Sequence, residues 1–118
     1  MTPAEADQKS RAGLGEAASL FRSFGDPARL AILRELAGGE RRVVDLTGAL
    51  GLAQSTVSGH LACLRDCGLV DARPSGRASL YSLAASTETL GVLAAAEVLL
   101  STTGTAVGLC PTYGIDAP

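Results

Sequence analysis

The chain has 118 residues, 47% of them apolar and 19% charged, which is enough for one domain with one modest core. Twelve acidic side chains against ten Lys and Arg leave a net charge of -2. That excludes a generic, strongly basic nucleic-acid binder but leaves room for a local basic patch. Three cysteines are an odd set and argue against a disulfide framework, so free thiols or metal ligands are the better assignment. The longest uncharged apolar run, Leu90 to Ala96, is far too short to span a bilayer and ends at Glu97. Glu5, Asp7, Lys9, Arg11 and Glu16 crowd the region where a secretory signal would be apolar. The expectation is a cytoplasmic protein with no membrane partner.

Residues 1–8 read as a flexible, polar N-terminus, residues 9–100 as the folded domain and residues 101–118 as a flexible tail. Lys9 to Phe24 has a helical pattern, with Leu14, Ala18 and Phe21 at i, i+4 and i+7, and Gly25 stops it. Asp26-Pro27 is a strong helix start, with Asp as N-cap and Pro at the first helical position. Leu30, Leu33 and Ala37 make that helix's buried face, with Ile32 and Leu36 beside it, and Gly38-Gly39 ends it. A short helix follows from Val43 or Val44 to Leu50, closed by Gly51.

The stretch Gln54 to Val70 organises the rest. At 100° per residue Val57, Leu61 and Leu64 form one apolar stripe that would face a core. Thr56, Gly59, His60, Cys63 and Cys67 fall on another side. Two short helices with a tight Gly-containing connection, the second polar on one side, form the helix-turn-helix pattern. After Gly68 the pattern becomes strand-like over Leu69–Arg73, Pro74-Ser75-Gly76 is turn chemistry, and Arg77 to Leu83 alternates. This predicts a β-hairpin wing with Arg73 and Arg77 on either side of its tip, suited to phosphate or minor-groove contact. From Arg41 to Leu80 five Arg stand against three Asp, a local surplus of two positive charges. A last helix, capped by Ser86 or Thr87 and running to about Leu100, is apolar nearly all round. It needs cover on more than one side, which implies a dimer interface built from it and the first helix. The fold class is therefore mainly α with a β-hairpin wing: a homodimeric winged helix-turn-helix.

The segments DPARLAILREL (26–36), VVDLTGALGLAQSTVSGHLACLRDCGLV (43–70) and GRASLYSL (76–83) resemble the ArsR/SmtB family of metal-responsive winged-helix repressors over about residues 14–100. The CxxxC of Cys63 and Cys67, with a further cysteine in the tail, resembles the family's lead- and cadmium-sensing CmtR type. That resemblance implies a metal site of Cys63, Cys67 and Cys110, the last from the partner subunit's tail, with metal releasing the operator. It also implies DNA contact by Gln54, Ser55, Thr56, Ser58, His60, Arg73 and Arg77. Two other metal sites of the family are not matched: Arg42 to Asp45 holds no cysteine pair, and the last helix has no histidine. Ala53 and Gly59 also depart from the family, where a capping Ser and a larger polar residue are common.

Residues four apart on a helix are separated by about 6 Å of rise and 40° of rotation, so Cys63 and Cys67 can converge on one ion. Cys110 lies ten residues past the last helix, and ten extended residues reach roughly 33–36 Å, enough for either subunit's cysteine pair. Three thiolates favour soft ions: Cd(II) or Pb(II) first, with As(III) or Cu(I) behind them. Zn(II) usually wants a fourth ligand, for which His60 is the candidate. Small hydrophobic packing and a thiol redox switch are the alternatives for the cysteines. The expected function is a repressor that binds palindromic operator DNA as a metal-free dimer and lets go when the ion binds. A thiol-redox-sensing winged helix and a non-regulatory dimerisation module are the other candidates. No nucleophile–base–orienter set supports an enzyme.

Overall fold

The computed structural model describes residues 1–112 and Gly114. Among them, six helices and one antiparallel hairpin follow in the order α1 (Pro3–Ser10), α2 (Leu14–Phe24), α3 (Pro27–Leu36), α4 (Val43–Leu50), α5 (Gln54–Asp66), β1 (Val70–Ser75), β2 (Ala78–Leu83) and α6 (Ser86–Thr102). Helices α4 and α5 form the helix-turn-helix, and β1–β2 is the wing. None of the helices among the described residues is long and apolar enough to cross a membrane.

Helix α1 lies where the sequence reads as loose. Its cause is local: Thr2 Oγ1 accepts the Glu5 N–H at 3.2 Å, Glu5 Oε2 accepts the Thr2 N–H at 2.7 Å, and Pro3 takes the first helical position. No residue of α1 is buried. A left-handed Gly13, at φ 83°, separates it from α2, so the single helix expected from Lys9 is two.

Asp26 caps α3 as its sequence position demands, accepting the Arg29 N–H at 3.0 Å. That hydrogen bond, with help from the charges of His60 and Arg29, holds the Asp26 carboxyl below the ordinary carboxylate range. The Arg29 side chain turns back to α2 and donates to the Arg22 and Ser23 carbonyls, satisfying acceptors at that helix's end.

Ile32, Leu33 and Leu36 of α3, Leu46 of α4 and Val57, Leu61 and Leu64 of α5 form the core, joined by Leu69, Val70, Leu90 and Leu93. The α3 face is rotated slightly from the expected one, with Ile32 and Leu36 fully inside and Leu30 and Ala37 half-buried. The expected α2 stripe does not enter this core. Leu14 and Phe21 are exposed, and Leu20 and Phe24 pack inward in their place.

Helix α5 ends in a Schellman turn. The Leu69 N–H reaches the Leu64 carbonyl at 2.9 Å and the Gly68 N–H reaches that of Arg65 at 3.0 Å, which requires the left-handed φ of 81° at Gly68. The chain then enters β1 at once. The hairpin pairs Val70 with Leu83 through Ser75 with Ala78, leaving Gly76-Arg77 as a two-residue loop. Positive φ at Gly76 and not at Arg77 is the pattern of a II′ turn. Pro74 and Ser75, read from sequence as turn, therefore belong to the strand. A two-bond bridge between Arg41 and Tyr81 ties the wing to the segment preceding α4.

Two substitutions in α5 separate its two sides. Leu64→Ala empties a fully buried position and should cost about 2–5 kcal/mol in urea unfolding. Gly59→Ala adds a methyl group where no atom lies within 4 Å, and should gain about 0.5–1 kcal/mol through helix propensity.

Candidate functional site

The burial of Val57, Leu61 and Leu64 turns the opposite side of α5 outward. Gln54, Ser55, Thr56 and Ser58 are all exposed near its start. Ala53 at the N-cap supplies no side-chain acceptor, so the first backbone N–H groups of α5 are not capped by it. Gln54 borders a groove of about 280 Å³ shared with Arg42, Val44, Ala78, Ser79 and Tyr81, where α4, α5 and the wing meet. Tyr81 is half-buried against the core.

The expected cationic contacts are placed unequally. Arg77 stands exposed at the hairpin tip. Arg73 forms a two-point ion pair with Glu40, Nε to Oε2 at 2.7 Å and Nη2 to Oε1 at 3.1 Å. The pair lowers the Glu40 carboxyl and raises the Arg73 guanidinium from their ordinary values. It also straps the wing to the α3–α4 connection, beside the Arg41–Tyr81 bridge. His60 is half-buried, and its Nε2 lies 3.7 Å from Asp26 Oδ2 at the start of α3.

Cys63 and Cys67 border one depression of about 490 Å³ with Ser19, Ser23, Gly59 and Asp66. Cys63 is exposed. Cys67 is the C-cap residue of α5, half-buried, and its thiol donates to the Leu64 carbonyl at 3.3 Å. Among the described residues of one chain, no group of three or more His, Cys, Asp or Glu could hold a metal ion.

Cys110 lies elsewhere. It is 1% exposed, on the side of the fold where Arg34, Gly108 and Pro111 surround a smaller hollow. The segment reaching it is anchored. The Arg34 guanidinium donates to the Gly108 carbonyl at 3.0 Å, and the Leu109 and Cys110 N–H groups donate to the Glu97 carboxylate. The expectation of a free tail from residue 101 thus meets a docked segment at 108–110.

Four residues to which the sequence assigns no part in a site now border one: Asp26 beside His60, Glu40 against Arg73, Arg42 in the groove with Gln54, and Glu97 under the tail. Asp26 was legible as a cap, but its second partner comes from a helix 34 residues on. Glu97 was legible only as a charge in an otherwise apolar helix.

A profile described as "Bacterial regulatory protein, arsR family" matches residues 26–72. The chain is 42% identical over 66 residues to a probable mercury resistance operon repressor of Streptomyces lividans, covering 56% of this chain and 53% of that protein. It spans little more than half the length of the curated relatives it first matches. The solution structure of the cadmium metal-sensor CmtR of Mycobacterium tuberculosis is 46% identical, with TM-score 0.56 over 65% of this chain and 81% of that one. The homodimeric winged helix-turn-helix DNA-binding domain Mb0332 of Mycobacterium bovis superposes with TM-score 0.68 at 29% identity, over 86% of this chain and 88% of that one. Sequence and architecture agree: the chain belongs to the ArsR family of bacterial transcriptional regulators, which are not enzymes.

Proposed function

We propose that this chain is a metal-responsive transcriptional repressor that binds operator DNA as a metal-free homodimer and is released by a soft thiophilic ion, Cd(II) or Pb(II). The observation that carries the proposal is the composition of α5: its outward side begins with Gln54, Ser55, Thr56 and Ser58 and ends with Cys63 and Cys67. One rigid helix would therefore carry both the DNA contacts and two of the three ligands. Its site of action would be the cytoplasm.

On DNA, α5 would lie in the major groove, where Gln54 can bond adenine bidentately and the Ser and Thr hydroxyls can reach bases or phosphates. Arg77 at the wing tip is placed for a phosphate or minor-groove contact. Arg73 and His60, engaged by Glu40 and Asp26, would meet DNA only on leaving those partners. A second copy of the chain is the natural cover for the exposed apolar side chains of α2 and α6. Phe21 and Leu99, each 67% exposed, border a depression of about 440 Å³ with Phe24, Val92, Leu93 and Leu100. The homodimeric relative supports that assignment.

Cys63, Cys67 and Cys110 would hold the effector, with Cys110 supplied by the tail of the same or the partner subunit. When bound, a divalent ion would supply a thiolate crosslink with a net charge of -1 close to the DNA phosphates. Cys67 sits at the C-cap, so a pull there acts directly on the axis of α5. A coupling of about 1–3 kcal/mol corresponds to a 5–150-fold change in operator affinity. With three thiolates and no fourth ligand in the proposed set, Zn(II) ranks behind Cd(II) and Pb(II) as an effector, and As(III) remains a further soft candidate.

The test uses double-stranded DNA selected from a random-sequence pool by the metal-free protein. Adding Cd(II) should weaken its binding by about 5–150-fold, whereas Cys63→Ser should bind the same DNA and no longer respond. Retention of a full Cd(II) response in that variant would sink the assignment of the site. On the same DNA, Arg77→Ala should weaken binding to all sequences alike and lower the salt slope by about 1. Glu40→Gln should free Arg73 and strengthen binding at low salt; unchanged affinity would make Arg73 a strut of the wing only.

A further inference from the structure

Beyond α6 the chain turns back on itself, with the Thr105 N–H bonded to the Leu100 carbonyl at 3.0 Å. Residues 108–110 then lie against α6 and α3, and their fastening is specific. Consecutive N–H groups of Leu109 and Cys110 converge on one oxygen of Glu97. The Gly114 N–H donates to the Cys110 carbonyl at 2.8 Å and closes a turn around the same carboxylate. A Cβ at Gly114 would collide with both carboxylate oxygens and with the Cys110 carbonyl, so only glycine fits there. Glu97 and Cys110 are each 1% exposed. A carboxylate at that depth is costly unless hydrogen-bonded, and successive backbone N–H groups are an efficient way to hold an anion.

Two of these residues also serve other parts of the molecule. Leu109 lines the apolar depression between α2 and α6. Cys110 borders the hollow beside Arg34, which shares no residue with the depression holding Cys63 and Cys67.

We infer that Glu97 and the backbone of Leu109, Cys110 and Gly114 form a clasp that closes off the Cys110 thiol, and that the clasp must open before Cys110 can join Cys63 and Cys67 as a ligand. The consequence rests on the metal-sensing reading above; the clasp itself does not. Opening withdraws Leu109 from the α2–α6 face and uncovers Glu97. Capture of Cys110 as a ligand therefore competes with an intact apolar face, which links the tail to the surface assigned to dimerisation.

The clasp is tested without metal. In a Cys63→Ser/Cys67→Ser chain Cys110 is the single thiol, and its reaction with a soluble aromatic disulfide reads how often the clasp opens. Glu97→Gln removes the charge from the acceptor, and Gly114→Ala strains the turn from within the tail, leaving α6 and the winged helix untouched. Each should speed the reaction about ten- to hundred-fold, the worth of a hydrogen bond to a charged group. Circular dichroism checks that the helices persist. Equal rates in parent and Gly114→Ala overturn the clasp.

In the three-cysteine chain, Gly114→Ala should also bind Cd(II) more tightly by a similar factor, followed by thiolate-to-metal absorption. A faster thiol with unchanged Cd(II) affinity overturns the gating role. Thiol rates that differ as expected, in a chain that binds no Cd(II), uphold the clasp and remove the metal-sensing reading instead.

Discussion

The burial of Val57, Leu61 and Leu64 decides which way every other residue of α5 faces. Each position is filled against α3, α4 and the start of the wing, so the helix cannot rotate about its axis without opening the core. The Schellman turn at Gly68 fixes its far end and hands the chain directly to β1. With rotation and termination both set, the outward side has a determined composition: polar near the start, thiol-bearing near the end. The bridge between Arg41 and Tyr81 and the Glu40–Arg73 ion pair then hold the wing in one orientation to that helix.

What could be foreseen follows a physical division. Periodicity and punctuation are local, and they placed α3, α4, α5, the hairpin and α6 within a few residues. Asp26-Pro27, Gly51 and Gly68 each did what their backbone preferences require. The capping box at Thr2 and Glu5 is equally local, but the segment has no apolar period, which is the stronger mark of a helix in a sequence. Side-chain partners are different. His60 meets Asp26, Arg73 meets Glu40 and Glu97 meets Leu109 and Cys110 through the folded arrangement, and no spacing rule announces such pairs. The same holds for Phe21: its helical stripe was legible, but not that the stripe would face away from the core of its own chain.

The tail illustrates how one buried charge can outweigh composition. A stretch rich in Gly and Thr has little apolar surface with which to hold itself in place. Yet Glu97 needs hydrogen-bond donors at its depth in the fold, and the backbone of Leu109 and Cys110 supplies them. Under the proposed function, the ligand thiol is thereby stored in a hollow that shares no residue with the one beside its partners, and recruiting it disturbs the surface that would pair two copies. DNA contact, ion binding and dimerisation would then compete through named residues instead of through a diffuse change in shape.

Linkage offers the most direct test of the central claim that the two ends of α5 act as one unit. If an ion at the cysteines weakens operator binding, operator DNA must weaken ion binding by the same factor. Titrating Cd(II) into the full chain, followed by thiolate-to-metal absorption, with and without a saturating selected duplex measures that factor. Cd(II) affinity should be weaker on DNA, by the same factor as the loss of DNA affinity caused by Cd(II). An identical Cd(II) affinity in both titrations would contradict it.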